Sequence, residues 1–290
     1  MNPDIIFPHL GIKFDTVGRG IQLGDFTIAF YGIIIASAMI AGYLLACYQA
    51  KRTGQKAEIY LDTVIWAIIF AIIGARCYYV IFSWDYYKEH PAEIINLRGG
   101  GLAIYGGIIG GLLAAYIVSR VKKYSFLLLV DTACAGIALG QAIGRFGNFF
   151  NREAFGKYTD SLFAMQIKLS DVNIDELTGN LGDHLVNVNG TSYIQVHPTF
   201  LYESIWSLCL MTLILIFTKK KKYDGQLMLI YLCGYSLGRF WIESLRTDQL
   251  MLFGTGIPVS MALSGLICVS SGGLLIYNFI KRKIKKSKAE

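Results

Sequence analysis

The sequence predicts an all-α polytopic membrane protein with seven transmembrane helices, the N-terminus outside the cell and the C-terminus inside. Three observations lead to this fold class. Hydrophobic residues make up 54% of the 290 residues, charged residues only 16%, and the mean hydropathy is +0.48, a more apolar and less charged composition than that of a soluble globule. Seven stretches contain the roughly 20 mostly apolar residues that a spanning helix needs. Basic residues concentrate in alternate connections between these stretches.

The predicted spans run at approximately 28–48, 60–82, 102–119, 126–145, 198–217, 226–243 and 257–280. If the connections alternate sides, one side carries sixteen of the 27 basic residues, namely Lys51, Arg52, Lys56, Arg120, Lys122, Lys123, Lys219, Lys220, Lys221, Lys222, Lys281, Arg282, Lys283, Lys285, Lys286 and Lys288. The positive-inside rule assigns this side to the cytoplasm. The same distribution accounts for the net charge of +7, so the basic balance does not indicate nucleic-acid binding.

The opposite, outer side carries the N-terminal segment and the connections 83–101, 149–197 and 244–256. Only the insertion 149–197 has the composition of a soluble domain, and its alternating runs FAMQIKL and YIQV predict a few strands. We therefore expect a single membrane domain over residues 1–290 with a small outer head at about 149–197, between the fourth and fifth spans.

Small residues are frequent in the spans. The six cysteines occur singly and never as a CxxC pair, which favours packing over a disulfide or a metal site. Glycines cluster at 99–101, 106–107 and 110–111. Close helix packing is one interpretation of these glycines, and backbone amides that face an anionic ligand at a helix entrance are another.

Charged side chains also occur within the spans and at their outer ends: Arg76, Asp131, Arg145, Glu203, Arg239 and Glu243. A lone charge in hydrocarbon costs roughly 2.5 to 3.5 kcal/mol on insertion scales, so each must be paired, hydrogen-bonded or hydrated. Arg239 and Glu243 are spaced i, i+4, which predicts an ion pair on one helix face. Arg76 is interpreted as packing support, with a pair to Asp131 or binding of a lipid headgroup as the alternatives. Glu203 lies in the first turns after Pro198, where a carboxylate also stabilises a helix N-terminus.

The stretch 136–156, GIALGQAIGRFGNFFNREAFG, places Arg145 at the end of an otherwise apolar segment. Two arginines in a partly apolar site suit a phosphate that is bound bidentately, and in a membrane the available phosphate belongs to a lipid. Neutral hydrogen bonds at the same level would come from Tyr31, Tyr105, Asn148, Asn151 and Tyr235. For any single tyrosine, a place in the interfacial aromatic belt is the better explanation.

Several motifs resemble those of the bacterial prolipoprotein diacylglyceryl transferases. They are FYG at 30–32, GRFGNFFNRE at 144–153, HPTFLYE at 197–203, and Gly238-Arg239 followed by ESLR at 243–246. The resemblance extends over nearly the whole chain. It implies a seven-helix enzyme of the bacterial cytoplasmic membrane, with its active site toward the outer leaflet and without a cofactor or a metal.

The reaction that this resemblance implies is transfer of the diacylglyceryl group of phosphatidylglycerol to the lipobox cysteine thiol of a preprolipoprotein. A thioether forms and glycerol phosphate is released. By the same resemblance, Arg145 and Arg239 would hold the phosphoglycerol head. Asn148, Glu153 and Gly156 would shape the site, and further residues would line or brace it: Tyr31, Glu203, Tyr235 and Glu243.

The chain departs from the family pattern at Tyr105. Well-known members have a histidine before the double glycine, proposed as a catalytic base, whereas this chain reads GLAIYGG at 101–107. An ordinary tyrosine has a pKa of about 10, which makes it a poor base near neutrality. Three alternatives follow: a neighbouring arginine activates Tyr105, a carboxylate such as Glu243 accepts the proton, or the histidine is not obligatory. The departure favours a mechanism in which stabilisation of the charge on the departing phosphate contributes more than base catalysis.

The alternative function is a flippase or transporter for an anionic phospholipid, because intramembrane charges also mark transport routes. An odd number of spans and a charge cluster on one side do not suggest the two equivalent halves of many transporters. A purely structural membrane protein would not need so many charges at one depth.

Overall fold

The computed structural model describes residues 2–24, 26–97, 99–173, 179–252 and 254–287. Within these ranges it contains the helices α1 Phe30–Arg52, α2 Glu58–Phe82, α3 Trp84–Tyr87, α4 Ile104–Val121, α5 Phe126–Asn151, α6 Thr199–Phe217, α7 Gln226–Glu243 and α8 Val259–Ser287. The strands are β1 Ile5–Phe7, β2 Ile12–Phe14, β3 Gly20–Leu23, β4 Phe26–Ala29, β5 Met165–Lys168, β6 Val186–Val188 and β7 Thr191–Val196.

Six of the described helices are long and apolar enough to cross a bilayer: α1, α2, α4, α5, α6 and α8. Large apolar side chains on their surfaces are exposed, as lipid-facing residues would be. The prediction of a mainly helical, polytopic membrane protein is therefore confirmed. The sixth predicted span, 226–243, coincides with α7, which has the expected bounds but is less apolar than the six helices named above. Of the predicted inner basic residues, Lys288 lies outside the described residues.

Residues 43–133 form one compact unit, in which α2 and α4 pack closely through glycines. A Cβ added to Gly106 would lie 2.2 Å from the Gly74 carbonyl oxygen, and one added to Gly110 would lie 2.1 Å from the Phe70 carbonyl oxygen. Any side chain at these positions would push the helices apart, because real Cβ contacts are never so short. The packing interpretation of the glycines is confirmed at these two positions.

Arg76 of α2 ties the connection after α3 to this unit. Its Nη2 donates to the Glu93 carbonyl at 2.6 Å, its Nε to the Ile94 carbonyl at 2.8 Å, and its Nη1 to the carbonyls of Gly100 and Gly101 at 2.9 and 3.0 Å. Only 7% of the residue is exposed. The interpretation of Arg76 as packing support is confirmed, and its acceptors are backbone carbonyls.

Residues 1–42 and 134–290 form the second unit, which includes the head. Its antiparallel sheet has the order β2-β1-β5-β7-β6, and Ile5, Ile167 and Ile194 meet across it in a buried core. The predicted strands in FAMQIKL and YIQV are confirmed as β5 and part of β7. The sheet also takes β1 and β2 from the N-terminal segment, where no strand was predicted. Residues 174–178 of the predicted head lie outside the described residues.

Arg152, just after α5, anchors the head through buried ion pairs. Its Nη2 lies 3.3 Å from Asp4 Oδ2 and donates to the Val17 carbonyl, and its Nε lies 3.2 Å from Asp171 Oδ2. Asp4 also accepts from Lys168 Nζ at 2.7 Å and from the Val17 N–H at 2.8 Å. Burial alone would raise the pKa of Asp4, but the Lys168 and Val17 hydrogen bonds and the charges of Lys168 and Arg152 outweigh it and lower the pKa.

Candidate active site

Three helices of the second unit bring four of the predicted charged residues together. Arg145 comes from α5, Glu203 from α6, and Arg239 and Glu243 from α7. Glu203 bridges the arginines, because its Oε2 lies 2.7 Å from Arg145 Nη1 and its Oε1 lies 2.7 Å from Arg239 Nη1. Arg239 Nη2 lies 2.7 Å from Glu243 Oε2, so the predicted i, i+4 pair is present. One carboxylate thus holds two guanidinium groups side by side.

The two carboxylates are more buried than the two arginines. The side chains of Glu203 and Glu243 are 8% and 5% exposed, whereas those of Arg145 and Arg239 are 22% and 20% exposed. Among the described residues Arg145 has a single polar partner, Glu203. A guanidinium carries five N–H donors, so Arg145 retains donors for a further acceptor.

Arg145 and Arg239 line the same narrow cleft, which encloses a volume of only about 10 Å³. The other lining residues are Glu203, Trp206, Ser207, Tyr235, Gly238 and Ile242. This is about the space of one water molecule and far below the roughly 300 to 1,000 Å³ of a site that encloses a drug-sized ligand. A lipid phosphate would therefore meet the arginines at the mouth of the cleft, and the rest of the lipid would lie outside it.

Trp206 forms one wall of the cleft because α7 has glycine where the indole contacts it. A Cβ added to Gly238 would lie 2.2 Å from Trp206 Nε1. The indole N–H donates to the Gly234 carbonyl at 2.8 Å, which fixes the ring against α7. The glycine next to Arg239 in the motif thus allows α6 and α7 to approach beside the arginines.

Two predicted tyrosines pack near the cleft residues of this unit. The ring of Tyr31 covers the backbone of α5 at Gly147, where an added Cβ would lie 2.7 Å from the Tyr31 Cδ2. The ring of Tyr235 lines the cleft and stacks on Tyr231 at a centroid distance of 5.8 Å and an angle of 15°. Tyr235 is thus a cleft residue, and Tyr31 lies beside the turn of α5 that carries Arg145.

The end of α5 is held by the residues that follow Arg145 in the motif. Asn148 Nδ2 donates to Glu153 Oε1 at 2.9 Å, and the Glu153 N–H donates to the Asn148 carbonyl at 3.1 Å. Asn148 lies three residues after Arg145, on the same face of the helix, and Asn151 is the last residue of α5. Asn148 and Glu153 therefore fix the helix end one turn from the arginine.

Gly156 lies where three chain segments meet. Its N–H donates to the His197 carbonyl at 2.9 Å, and Lys157 N–H donates to the Leu245 carbonyl at 2.7 Å. A Cβ added at Gly156 would lie 2.7 Å from His197 Cβ and 3.0 Å from the Leu245 carbonyl oxygen. Gly156 thus lets the segment after α5 pack against the segments that precede α6 and follow α7.

Tyr105 lies in the other unit, residues 43–133, and is the second residue of α4. Its ring centroid is 6.5 Å from that of Tyr78. The assignment of Tyr105 as a base stays a prediction.

Arg246 is a charged residue near the cluster to which the sequence assigned no role. Its Nε lies 3.9 Å from Glu243 Oε2 and donates to Asp248 Oδ1 at 2.8 Å. Burial alone would raise the pKa of Asp248, but the hydrogen bond and charge of Arg246 lower it. The i, i+3 spacing of Arg246 from Glu243 could have predicted this contact from the sequence.

Nothing in the sequence indicated that Trp206 and Ser207 line the cleft, because an apolar or small residue in a span does not indicate a cleft.

Comparisons with known proteins agree with this arrangement of motifs. The family model for prolipoprotein diacylglyceryl transferase matches residues 20–277. A relative from Clostridioides difficile is 42% identical over 263 residues, which cover 91% of this chain and 95% of the relative. One from Listeria monocytogenes is 44% identical over 261 residues, 90% of this chain and 89% of the relative. One from Bacillus cytotoxicus is 42% identical over 263 residues, 91% of each chain. All three are named phosphatidylglycerol–prolipoprotein diacylglyceryl transferase. The chain belongs to the prolipoprotein diacylglyceryl transferase family.

Proposed function

We propose that this protein transfers the diacylglyceryl group of phosphatidylglycerol to the lipobox cysteine thiol of preprolipoproteins. Family membership supports the reaction. The structural observation that carries the proposal is the pair of arginines, Arg145 and Arg239, which share Glu203 and line one cleft. Arginines that faced separate regions, each neutralised by its own carboxylate, would not suit a single phosphate.

The chemistry is a displacement at the glycerol carbon that bears the phosphate ester. The cysteine sulfur attacks this carbon, the C–S bond forms, and the C–O bond breaks with its electron pair on the departing glycerol phosphate. The thiol proton passes to a base. Arg145 and Arg239 stabilise the charge that gathers on the leaving phosphate, an electrostatic contribution that is large in a cleft with little water. No step needs a metal or an organic cofactor.

Glu203 has a defined part in this proposal. Two buried cations without a counter-ion would be costly, and the bridging carboxylate lowers that cost before the lipid binds. The same bridge sets the spacing of the two guanidinium groups. A phosphate can then accept from the donors that Glu203 leaves free, so the binding groups are oriented before the substrate arrives.

Three alternatives remain for the thiol proton: Tyr105 accepts it, a carboxylate such as Glu243 accepts it, or no base is obligatory at the position of Tyr105. A Tyr105→Phe variant tests the first, because loss of the hydroxyl would remove the base-dependent limb of the pH–rate profile if Tyr105 accepts the proton. An unchanged profile would exclude Tyr105 and leave the other two alternatives.

We further propose that α7 also spans the bilayer, which brings the number of spans to seven, and that the cleft faces the outer leaflet of the bacterial cytoplasmic membrane. An 18-residue helix is about 27 Å long, close to the roughly 30 Å of the hydrocarbon core. Lys219–Lys222 precede α7, and Arg239 and Glu243 lie toward its other end, where Arg239 lines the cleft. Basic residues at one end and the cleft at the other support a cytoplasmic start and an outer site.

The test is mass spectrometry of a lipobox peptide incubated with phosphatidylglycerol and the purified protein. We expect a diacylglyceryl mass addition on the cysteine and release of glycerol phosphate. A peptide with serine in place of that cysteine is the matched control and should gain no mass. Lipid movement between leaflets without any mass addition would instead support the flippase.

A further inference from the structure

A second groove lies within residues 43–133, on the surfaces of α2 and α4. It has a volume of about 440 Å³, and none of its residues belongs to the candidate active site. Asp62, Trp66 and Phe70 of α2 line it, and the facing helix contributes Ala114, Ile117, Val118, Val121 and Lys122. Trp66 is 49% exposed and Val121 is 72% exposed, so the groove is open along its length.

The groove has the dimensions and polarity of one bilayer leaflet. Asp62 and Phe70 are eight residues apart, which places them about 12 Å apart along a helix. Half of a roughly 30 Å hydrocarbon core is about 15 Å. The polar lining residues, Asp62 and Lys122, meet at one end at 2.6 Å. The rest of the lining is apolar apart from the indole N–H of Trp66, a residue that favours the membrane interface.

The connections at the polar end of the groove carry more cations than carboxylates. Gln55 accepts from Tyr124 OH at 2.5 Å and donates to Thr132 at 2.9 Å, so the connection after α1 and the connection after α4 meet at this end. The cations on the two connections and the adjoining helix ends are Lys51, Arg52, Lys56, Arg120, Lys122 and Lys123, and the carboxylates are Glu58 and Asp62. This end therefore attracts anions.

We propose that the groove binds one acyl chain of an anionic phospholipid, with the headgroup phosphate at Lys122. The chain lies between Trp66 and Phe70 on one side and Ile117 and Val121 on the other. The Lys122 ammonium has three donors, so it can bind the phosphate while it remains ion-paired with Asp62. Its side chain is 47% exposed, which leaves room for the headgroup. This lipid site does not depend on the proposed function, because it lies in the leaflet of the basic connections and uses no cleft residue.

Trp66 provides a direct readout of occupancy, because brominated acyl chains quench a nearby indole. The full-length protein is reconstituted in vesicles that contain either brominated phosphatidylglycerol or brominated phosphatidylcholine, without any lipobox peptide. The fluorescence of Trp66 is obtained by subtracting the fluorescence of a Trp66→Phe variant, which retains the other three tryptophans. A cation near a lipid surface favours an anionic lipid by about fivefold. We expect that preference for phosphatidylglycerol at Trp66.

Three variants test where the site lies. Lys122→Gln should remove the preference, whereas Lys219→Gln, which removes an exposed lysine in another basic connection, should retain it. Val121→Phe should fill the groove and reduce quenching by both lipids. Equal quenching by the two lipids, or a preference that survives Lys122→Gln, would overturn the proposal. Absence of quenching by either lipid would also overturn it and would indicate that a second copy of the chain or another protein covers the groove.

Discussion

Arg76 and Arg145 are both arginines within long apolar helices, yet the structure satisfies them in different ways. Arg76 donates to four backbone carbonyls in its unit, acceptors that are fixed by the chain and cannot be exchanged. Arg145 has one described partner, the side chain of Glu203, and lines a cleft. The need to satisfy the donors of a buried guanidinium explains the four hydrogen bonds of Arg76. Arg145 retains N–H donors that Glu203 does not use, and those donors form part of the proposed phosphate site.

Arg152 shows that carboxylate partners alone do not make a site. It contacts Asp4 and Asp171 and is only 6% exposed. Its partners belong to the head, where they join the N-terminal segment to the end of α5. Arg145 and Arg239 differ from Arg152 in lining a cleft, and from Arg76 in having side-chain partners. The proposed phosphate site requires both properties.

The largest expected effect is the loss of transfer when a cleft arginine is removed. Arg145→Ala or Arg239→Ala should lower the rate of lipobox lipidation by about 10²- to 10³-fold or more, the usual cost of losing one group that stabilises transition-state charge. Membrane insertion should be unchanged. The measurement is the rate of diacylglyceryl mass addition on the peptide, normalised to inserted protein. Retained turnover in both variants would remove the arginines from the mechanism.

Removal of the bridging charge should have a smaller effect on the same step. Glu203→Gln keeps the shape but no longer sets the spacing of the two guanidinium groups, and a misplaced group can cost about 10²-fold in rate. We expect kcat to fall while KM for phosphatidylglycerol does not rise, because the loss of a negative charge does not weaken attraction for an anionic lipid. A raised KM with unchanged kcat would show that Glu203 contributes to lipid binding and not to orientation.

Replacement of the backbone-bound arginine should affect stability more than chemistry. Arg76→Lys keeps the charge but cannot reach four carbonyls at once, and each hydrogen bond from a charged group is worth roughly 1.5 to 3 kcal/mol. We expect a lowered unfolding temperature in detergent and a decrease in activity per folded molecule far smaller than that of Arg145→Lys. A Lys variant at position 76 that is fully stable yet inactive would contradict the distinction.

The smallest expected effect concerns Asp4, one of the two carboxylate partners of Arg152. Because the pKa of Asp4 is lower in the folded head than its ordinary value of 3.8, the unfolded chain binds more protons as the pH falls. The stabilisation is present above about pH 4 and is lost as the pH falls through the folded pKa. Hydrogen exchange of β1 and β5 should therefore accelerate at acidic pH. Asp4→Asn should weaken that dependence, whereas Asp15→Asn, at an exposed position, should not.

Local patterns predicted much of the fold and part of the site. The i, i+4 spacing of Arg239 and Glu243 predicted their ion pair, because helical geometry alone brings them together. Alternation predicted β5 and β7. Six of the predicted spans coincide with long apolar helices of the structure. The helix α7 has the predicted bounds, although its cleft residues make it less apolar than the others.

Contacts between distant segments could not be predicted in the same way. Glu203 bridges helices α5 and α7 because of how three helices pack, and no local spacing encodes that bridge. β1 has only three residues and pairs with β5 about 160 positions later, so neither length nor alternation reveals it. The roles of Gly156 and Trp206 likewise depend on which segments approach them.

The most direct test of the account compares Arg145→Lys with Arg76→Lys in a single turnover at saturating phosphatidylglycerol. The measured quantity is the rate of diacylglyceryl mass addition per folded molecule. The account predicts that Arg145→Lys loses nearly all of this rate, because a lysine cannot bind phosphate bidentately, and that Arg76→Lys keeps most of it. Equal rates in the two variants would contradict the claim that Arg145 holds the departing phosphate.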